Sequence, residues 1–155
     1  EIERSAHAKV AVLFIDVDDF KFINDRFGHS VGDEVIKYVA GCIKQRVKGS
    51  GFAGRFGGDE FVLCITDPKQ IEEIESLSLD LIDELYEGYH SELANVSINV
   101  KASIGIAFFP EHGDDSNKVV AAADEAMYFV KKNGKANYHI YQPEDSDMED
   151  LQHTL

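Results

Sequence analysis

Residues 10–15 read Val-Ala-Val-Leu-Phe-Ile, an unbroken apolar run of β-favouring side chains. A strand with no polar face has to be covered on both sides, so this run belongs in the middle of a sheet with other elements packed above and below it. It runs straight into Asp16-Val17-Asp18-Asp19, three carboxylates in four positions. Acids are thereby delivered to the end of a central strand, the place where open sheets hold their ligands. Asp18 or Asp19 is expected to cap the helix that follows. Asp16 belongs to the strand itself, and a buried carboxylate there is costly unless a cation or hydrogen-bond donors meet it.

A second acidic point lies in Arg55-Phe56-Gly57-Gly58-Asp59-Glu60-Phe61. Residues 51–56 and 61–65 read as strands and the residues between them are turn-formers and acids, so the run predicts a β-hairpin with carboxylates at its tip. Gly57 and Gly58 carry no Cβ to hold another molecule away from the main chain, which suits the approach of a bulky polyanion. Asp59 and Glu60 are hard oxygen donors of the kind Mg²⁺ takes, and Mg²⁺ brings phosphates with it. Taken alone, the hairpin reads as an ordinary turn with solvated acids, because short motifs recur by accident. Beside the central strand it means more: Asp16 with Asp59 or Glu60 makes a carboxylate pair for one or two divalent ions.

The 155 residues amount to one domain and can bury a full core. With 29 acidic and 15 basic residues the formal charge is −14, which argues against a non-specific binder of nucleic acid or anionic membrane. A phosphate site must then be made locally, by a few lysines, a metal ion or helix N-termini. Cys42 and Cys64 sit in apolar stretches without metal-ligand spacing and read as core thiols of a cytosolic protein. The six histidines form no H-x-x-x-H pair, so zinc is not expected. No apolar run reaches the length of a membrane span and no signal-like segment leads the chain, which gives the expectation of a cytoplasmic domain cut from something longer, without direct membrane insertion.

In order along the chain, residues 20–27 read as a short helix closed by Gly28 and carrying Lys21 and Asn24. Residues 30–47 read as a second helix, with Val31, Val35, Val39, Cys42 and Ile43 on one face. His29, Asp25 and Asp33 read as capping or dipole-matched residues at its start. Asp67-Pro68 is expected to open a long helix through Leu85, with Pro68 in the first turn. Residues 96–107 read as one strand, residues 116–132 as a helix ending at Lys131-Lys132-Asn133-Gly134, and residues 138–141 as a last strand. This order describes an α/β domain, residues 1–143, with helices packed on one sheet and no internal repeat; residues 144–155 form an acidic tail expected to be mobile or partner-dependent.

With these elements in place the chain resembles the GGDEF family of diguanylate cyclases over nearly its whole length. Gly57-Gly58-Asp59-Glu60-Phe61 is the family's signature. Residues 16–25 are similar to its D-I/V-D-x-F-K-x-x-N-D, residues 28–33 to its G-H-x-x-G-D, residues 103–107 to its S-x-G-I-A, and residues 123–131 to its A-D-x-A-M-Y-x-x-K. Five motifs in the right order are far more specific than one. The resemblance implies an α+β sandwich with a central, mainly antiparallel sheet, like that of nucleotidyl cyclases and polymerase palms, and conversion of two GTP into cyclic di-GMP and two pyrophosphate.

The resemblance also implies roles. Asp16, the main-chain carbonyl of Val17 and Asp59 would bind Mg²⁺ or Mn²⁺, two ions per half-site, and Glu60 would complete the acidic centre at the second ion or near the reacting hydroxyl. Asp59 and Glu60 would be the catalytic pair. Asn24 and Asp33 would read guanine, an amide and a carboxylate offering a pattern that adenine cannot satisfy. Lys21, Lys131 and Lys135, with the main-chain N–H groups of Asp19, Phe20 and Lys21, would hold the triphosphate; Lys132 only offsets the helix dipole. A homodimer would be needed for catalysis, since each domain carries one GTP and the product is two-fold symmetric. An upstream sensory or dimerisation domain would set that pairing.

Three departures stand out. The family's R-x-x-D product-inhibition site is replaced by Lys48-Gly49-Ser50-Gly51, so Lys48 and Gly51 leave that site without its arginine fork and carboxylate. An arginine usual near the C-terminal strand appears as Lys135. The D-x-L-T-G-L-x-N-R segment that usually precedes the first strand is missing. The alternative reading is a catalytically silent, GTP-binding regulatory domain, although such domains usually have a damaged signature. A nucleotidyl cyclase acting on another substrate is disfavoured by Asn24 and Asp33.

Overall fold

The computed structural model describes residues 8–145. The apolar run forms β1 (Val10–Val17), the middle strand of a five-stranded sheet. The sheet order is β2 (Gly51–Arg55), β3 (Glu60–Thr66), β1, β6 (Ala102–Phe109), β7 (Tyr138–Ile140), antiparallel throughout except between β6 and β7. The expected α/β class with a mainly antiparallel central sheet is what forms.

Alternation along β1 divides its side chains between two faces. Leu13, Ile15 and Val17 join a core closed by α1 (Phe20–Phe27), α2 (His29–Val47) and α3 (Ile71–Glu87). Val12 and Phe14 pack instead against α4 (Ser116–Lys132), through Val119, Ala122, Ala123 and Met127. Asp16 shares that second face by the same period of two. The α4 helix lies deep on the sheet because residue 105 is glycine: a Cβ there would fall onto the main chain of Ala123 and Met127. Leu13, Ile15, Leu63, Ile74, Leu81, Ile104 and Ile106 are fully buried, each worth about 1.5–3 kcal/mol of apolar burial.

Several expectations are corrected. Residues 96–107 are not one strand: β4 (Tyr89–Ser91) and β5 (Val96–Ile98) form a separate hairpin, and β6 starts at Ala102. Between them the backbone leaves the ladder for other partners, Val100 N–H donating to Leu85 O at 3.1 Å and Lys101 O accepting from Asp18 N–H at 2.8 Å. Glu34 on α2 anchors the small hairpin, accepting from Ser91 Oγ at 2.6 Å and Tyr89 Oη at 3.3 Å. Pro68 does not start α3, which begins at Ile71 after Gln70; Asp67 has φ 55° and donates its N–H to Lys9 O, so residues 67–70 are a turn. Cys42 is buried, whereas Cys64 is only half-buried on the α4 face. Asp145, placed by composition in the acidic tail, is buried and accepts from His139 Nε2 at 3.1 Å and Gln142 N–H at 2.9 Å. Residues 146–155 lie outside the described residues. Among the described residues no helix is long and apolar enough to cross a membrane.

Candidate functional site

The hairpin lies directly beside the central strand. Asp16 is paired with Glu60 across the β1–β3 ladder, and Val17 N–H donates to Asp59 O at 3.1 Å. The two acidic points of the sequence therefore meet. Arg55, which the sequence reading passed over, holds the tip in shape: its Nε donates to the carbonyls of Gly57 at 3.1 Å and Gly58 at 3.2 Å. A Cβ on Gly57 would come within 2.9 Å of Glu60 Oε1, while Gly58 faces open space. Gly58 leaves the tip open on its side, and Gly57 leaves room for the flexible end of the Glu60 side chain.

Burial first, and then the charge of Asp59, pushes the Asp16 carboxyl up to about 7, against the opposing pull of Lys131. Glu60 is also raised, by burial and then by Asp124 and Asp59. Carboxyls that crowd each other in a poorly solvated place lack positive charge.

Asp18 does not cap the helix. It is buried, with Oδ1 accepting from Ser103 Oγ and Lys131 Nζ, both at 2.7 Å, and Oδ2 from Ala136 N–H at 3.0 Å. Asp19 occupies the N-cap position of α1 with φ 57° but makes no side-chain cap; its carboxylate accepts from Lys135 Nζ at 2.8 Å. That lysine pulls the Asp19 carboxyl below its ordinary range. Two of the three expected phosphate-binding lysines are in this way docked on the acids at the exit of β1. Lys21 is exposed on the first turn of α1, where the N–H groups of Phe20 and Lys21 precede the first intrahelical bonds. Lys132 lies over the Tyr128 ring at 4.6 Å.

Asn24 lies at the tight α1–α2 corner, where the neighbour of its amide on α2 is Gly32, one residue before Asp33 in sequence. A Cβ at Gly32 would fall on the Asn24 side-chain oxygen, so glycine at 32 lets the amide lie against the start of α2. Asp33 is exposed. A cavity of about 340 Å³ adjoins the acids at the exit of β1, lined by Asp18, Asp19, Phe22, Arg26, Phe27 and Lys101 among others, and involves neither guanine-reading candidate. Lys48 and Gly51 sit at the far end of β2 from the tip, and a Cβ at Gly51 would collide with Cys64 O on β3.

Asp16 Oδ1 is buried and has no hydrogen-bond partner, while Oδ2 pairs with Lys131 Nζ at 3.2 Å. An orphaned carboxylate oxygen facing a second carboxylate fits a divalent cation, and the ion pair with Lys131 leaves that oxygen open. Among the described residues no group of three or more His, Cys, Asp or Glu side chains forms a ready metal cage. Mg²⁺ requires none, since it takes one or two carboxylates and completes its shell with carbonyl oxygens, waters and substrate phosphates.

Comparison with known proteins bears on the family and the fold. The family model described as "Diguanylate cyclase, GGDEF domain" matches residues 1–137. The chain is 34% identical to the diguanylate cyclase DosC of Escherichia coli (strain K12) over 134 residues, 86% of the chain and 28% of DosC. It is 32% identical to the cyclic di-GMP phosphodiesterase PdeR of the same organism over 143 residues, 92% of the chain and 21% of PdeR. The chain thus spans well under a third of these relatives. The solved GGDEF domain of TpbB (YfiN) from Pseudomonas aeruginosa superposes with a TM-score of 0.88 at 29% identity, covering 95% of the chain and 85% of that domain. Strand order, hairpin signature and these matches together place the chain in the GGDEF-domain family.

Proposed function

We propose that this domain is a diguanylate cyclase domain, joining two GTP into cyclic di-GMP with release of two pyrophosphate. The observation that carries the reading is the unpartnered, buried Oδ1 of Asp16, set beside Asp59 and Glu60 at the end of the central strand. Asp16, the carbonyl of Val17 and Asp59, with Glu60, would hold Mg²⁺ or Mn²⁺, which when bound screens charge on the triphosphate and activates the attacking 3′-oxygen. Lys131, Lys135, Lys21 and the N–H groups at the start of α1 would hold the triphosphate in line, so that the 3′-oxygen of one GTP attacks the α-phosphorus of the other and pyrophosphate departs. Glu60 would complete this acidic centre, at the second ion or near the reacting hydroxyl. Asn24 and Asp33 would read the guanine edge.

One domain offers one such pocket, and the product has two-fold symmetry, so a pair of domains would complete the catalytic unit. The deciding experiment fuses the domain to a dimerising coiled coil and incubates it with GTP and Mg²⁺. Cyclic di-GMP is the expected product. Bound GTP without turnover would replace this reading with the silent regulatory domain, a reading that gains some weight from relatives named as phosphodiesterases. Equal use of ATP would replace it with a cyclase of different specificity.

A further inference from the structure

The Lys131 ammonium touches two carboxylates that are held very differently. Asp18 has no exposed side-chain surface and both its oxygens are engaged, by Ser103 and Lys131 on one and by Ala136 N–H on the other. Asp16 lies on the same ammonium at the longer distance of 3.2 Å and keeps one oxygen without a partner. A lysine paired with Asp16 alone would neutralise the carboxylate that a cation needs, or would leave once the cation arrived. A lysine anchored on a second, fully satisfied carboxylate does neither.

We propose that Asp18 is the positioning residue of this site, anchoring the Lys131 ammonium so that a divalent cation can draw Asp16 away while Lys131 stays beside it to meet a phosphate. The shorter contact is the permanent one and the longer contact is the one exchanged. Through Ala136 N–H the same carboxylate fixes the turn that carries Lys135, where Lys135 and Ala136 adopt φ of 62° and 50°, so one buried acid places both phosphate-facing lysines. Ser103 Oγ and Ala136 N–H, one on each oxygen, fix the orientation of the Asp18 carboxylate. The inference rests on the metal and nucleotide reading given above.

The test follows the lysine side-chain ammonium signals by ¹⁵N NMR in the nucleotide-free protein, with the Lys131 signal identified by its disappearance in Lys131→Arg. In the wild type the signal is expected to shift on addition of Mg²⁺ and to persist. In Asp18→Asn it is expected without Mg²⁺, held by Asp16, and to be lost to solvent exchange when Mg²⁺ is added. Persistence in Asp18→Asn with Mg²⁺, or loss in the wild type with Mg²⁺, overturns the proposal while leaving the cyclase reading in place. A wild-type spectrum in which Mg²⁺ moves no signal overturns the metal reading, and this proposal with it. Should Asp18→Asn fail to fold, the wild type alone decides: persistence of the Lys131 signal with Mg²⁺ supports the anchor, and its loss overturns it.

Discussion

Asp16 and Glu60 are direct partners across the β1–β3 ladder, so two carboxylates leave the same face of the sheet side by side. Burial and neighbouring acids raise both carboxyls, against the opposing pull of the Lys131 ammonium. Carboxyls perturbed in this way cluster at functional sites.

Asp16→Asn separates function from stability. Removing a buried charge with an orphaned oxygen is expected to raise the melting temperature of the nucleotide-free domain by a few degrees, given that about 1 kcal/mol moves a domain of this size by roughly 2–4 °C. The same change, like Asp59→Ala, is expected to abolish cyclic di-GMP formation and Mn²⁺ binding. Calorimetry and Mn²⁺ titration check the two halves, and full activity in either variant would refute the metal assignment.

Asn24→Ala is expected to relax base choice more than it slows the reaction. Losing one base-reading hydrogen bond corresponds to roughly a tenfold fall in preference for GTP over ATP. Competition binding with the two nucleotides measures it; an unchanged preference would remove Asn24 from the guanine site.

Tyr38 provides a pH test independent of catalysis. Its hydroxyl donates to Glu84 O at 2.9 Å, and burial first, then the nearby Cys42, Glu84 and Glu87, pushes its pKa up to about 12. The unfolded chain titrates tyrosine near pH 10. Across that interval the unfolded state gives up a proton the folded state retains, so stability falls as pH rises from about 10 toward 12. Urea unfolding at about pH 8 and about pH 11 should show this loss in the wild type and a smaller one in Tyr38→Phe. Equal losses would mean that the phenol is not held as described.

Gly51→Asp, which restores a carboxylate where the family carries one, is expected to destabilise the domain by about 1–3 kcal/mol. The new Cβ would meet Cys64 O, a main-chain atom that cannot swing aside. Denaturant unfolding reads the effect directly, and no loss of stability would show that the β2–β3 ladder can shift to admit a side chain.

Much of the architecture was legible in advance because burial writes itself into local sequence. The unbroken apolar run of β1, the 3.6-residue spacing of Val31, Val35 and Val39, and the Gly-Gly-acid tip each carry their meaning within a few residues. The single strand expected over residues 96–107 failed because Val100 and Lys101 take main-chain partners on α3 and after β1, which no local pattern records. The same limit hid Asp18: its position after a strand and before a helix is the position of a cap, and only the approach of Lys131, 113 residues away, makes it an anchor.

What the sequence by itself determined is the inventory: a two-sided central strand, an acidic exit, an acidic hairpin, and lysines at the end of the last helix. What only the tertiary structure decided is how those charges share one another. Register across β1 put Glu60 on one side of Asp16 and Ser103 on the other, and the depth of α4, set by Gly105, brought Lys131 between Asp16 and Asp18. The physical reason is range. Backbone preference and apolar periodicity act over one or two turns of chain, whereas the protonation and pairing of a buried carboxylate depend on whatever the fold brings within about 4 Å.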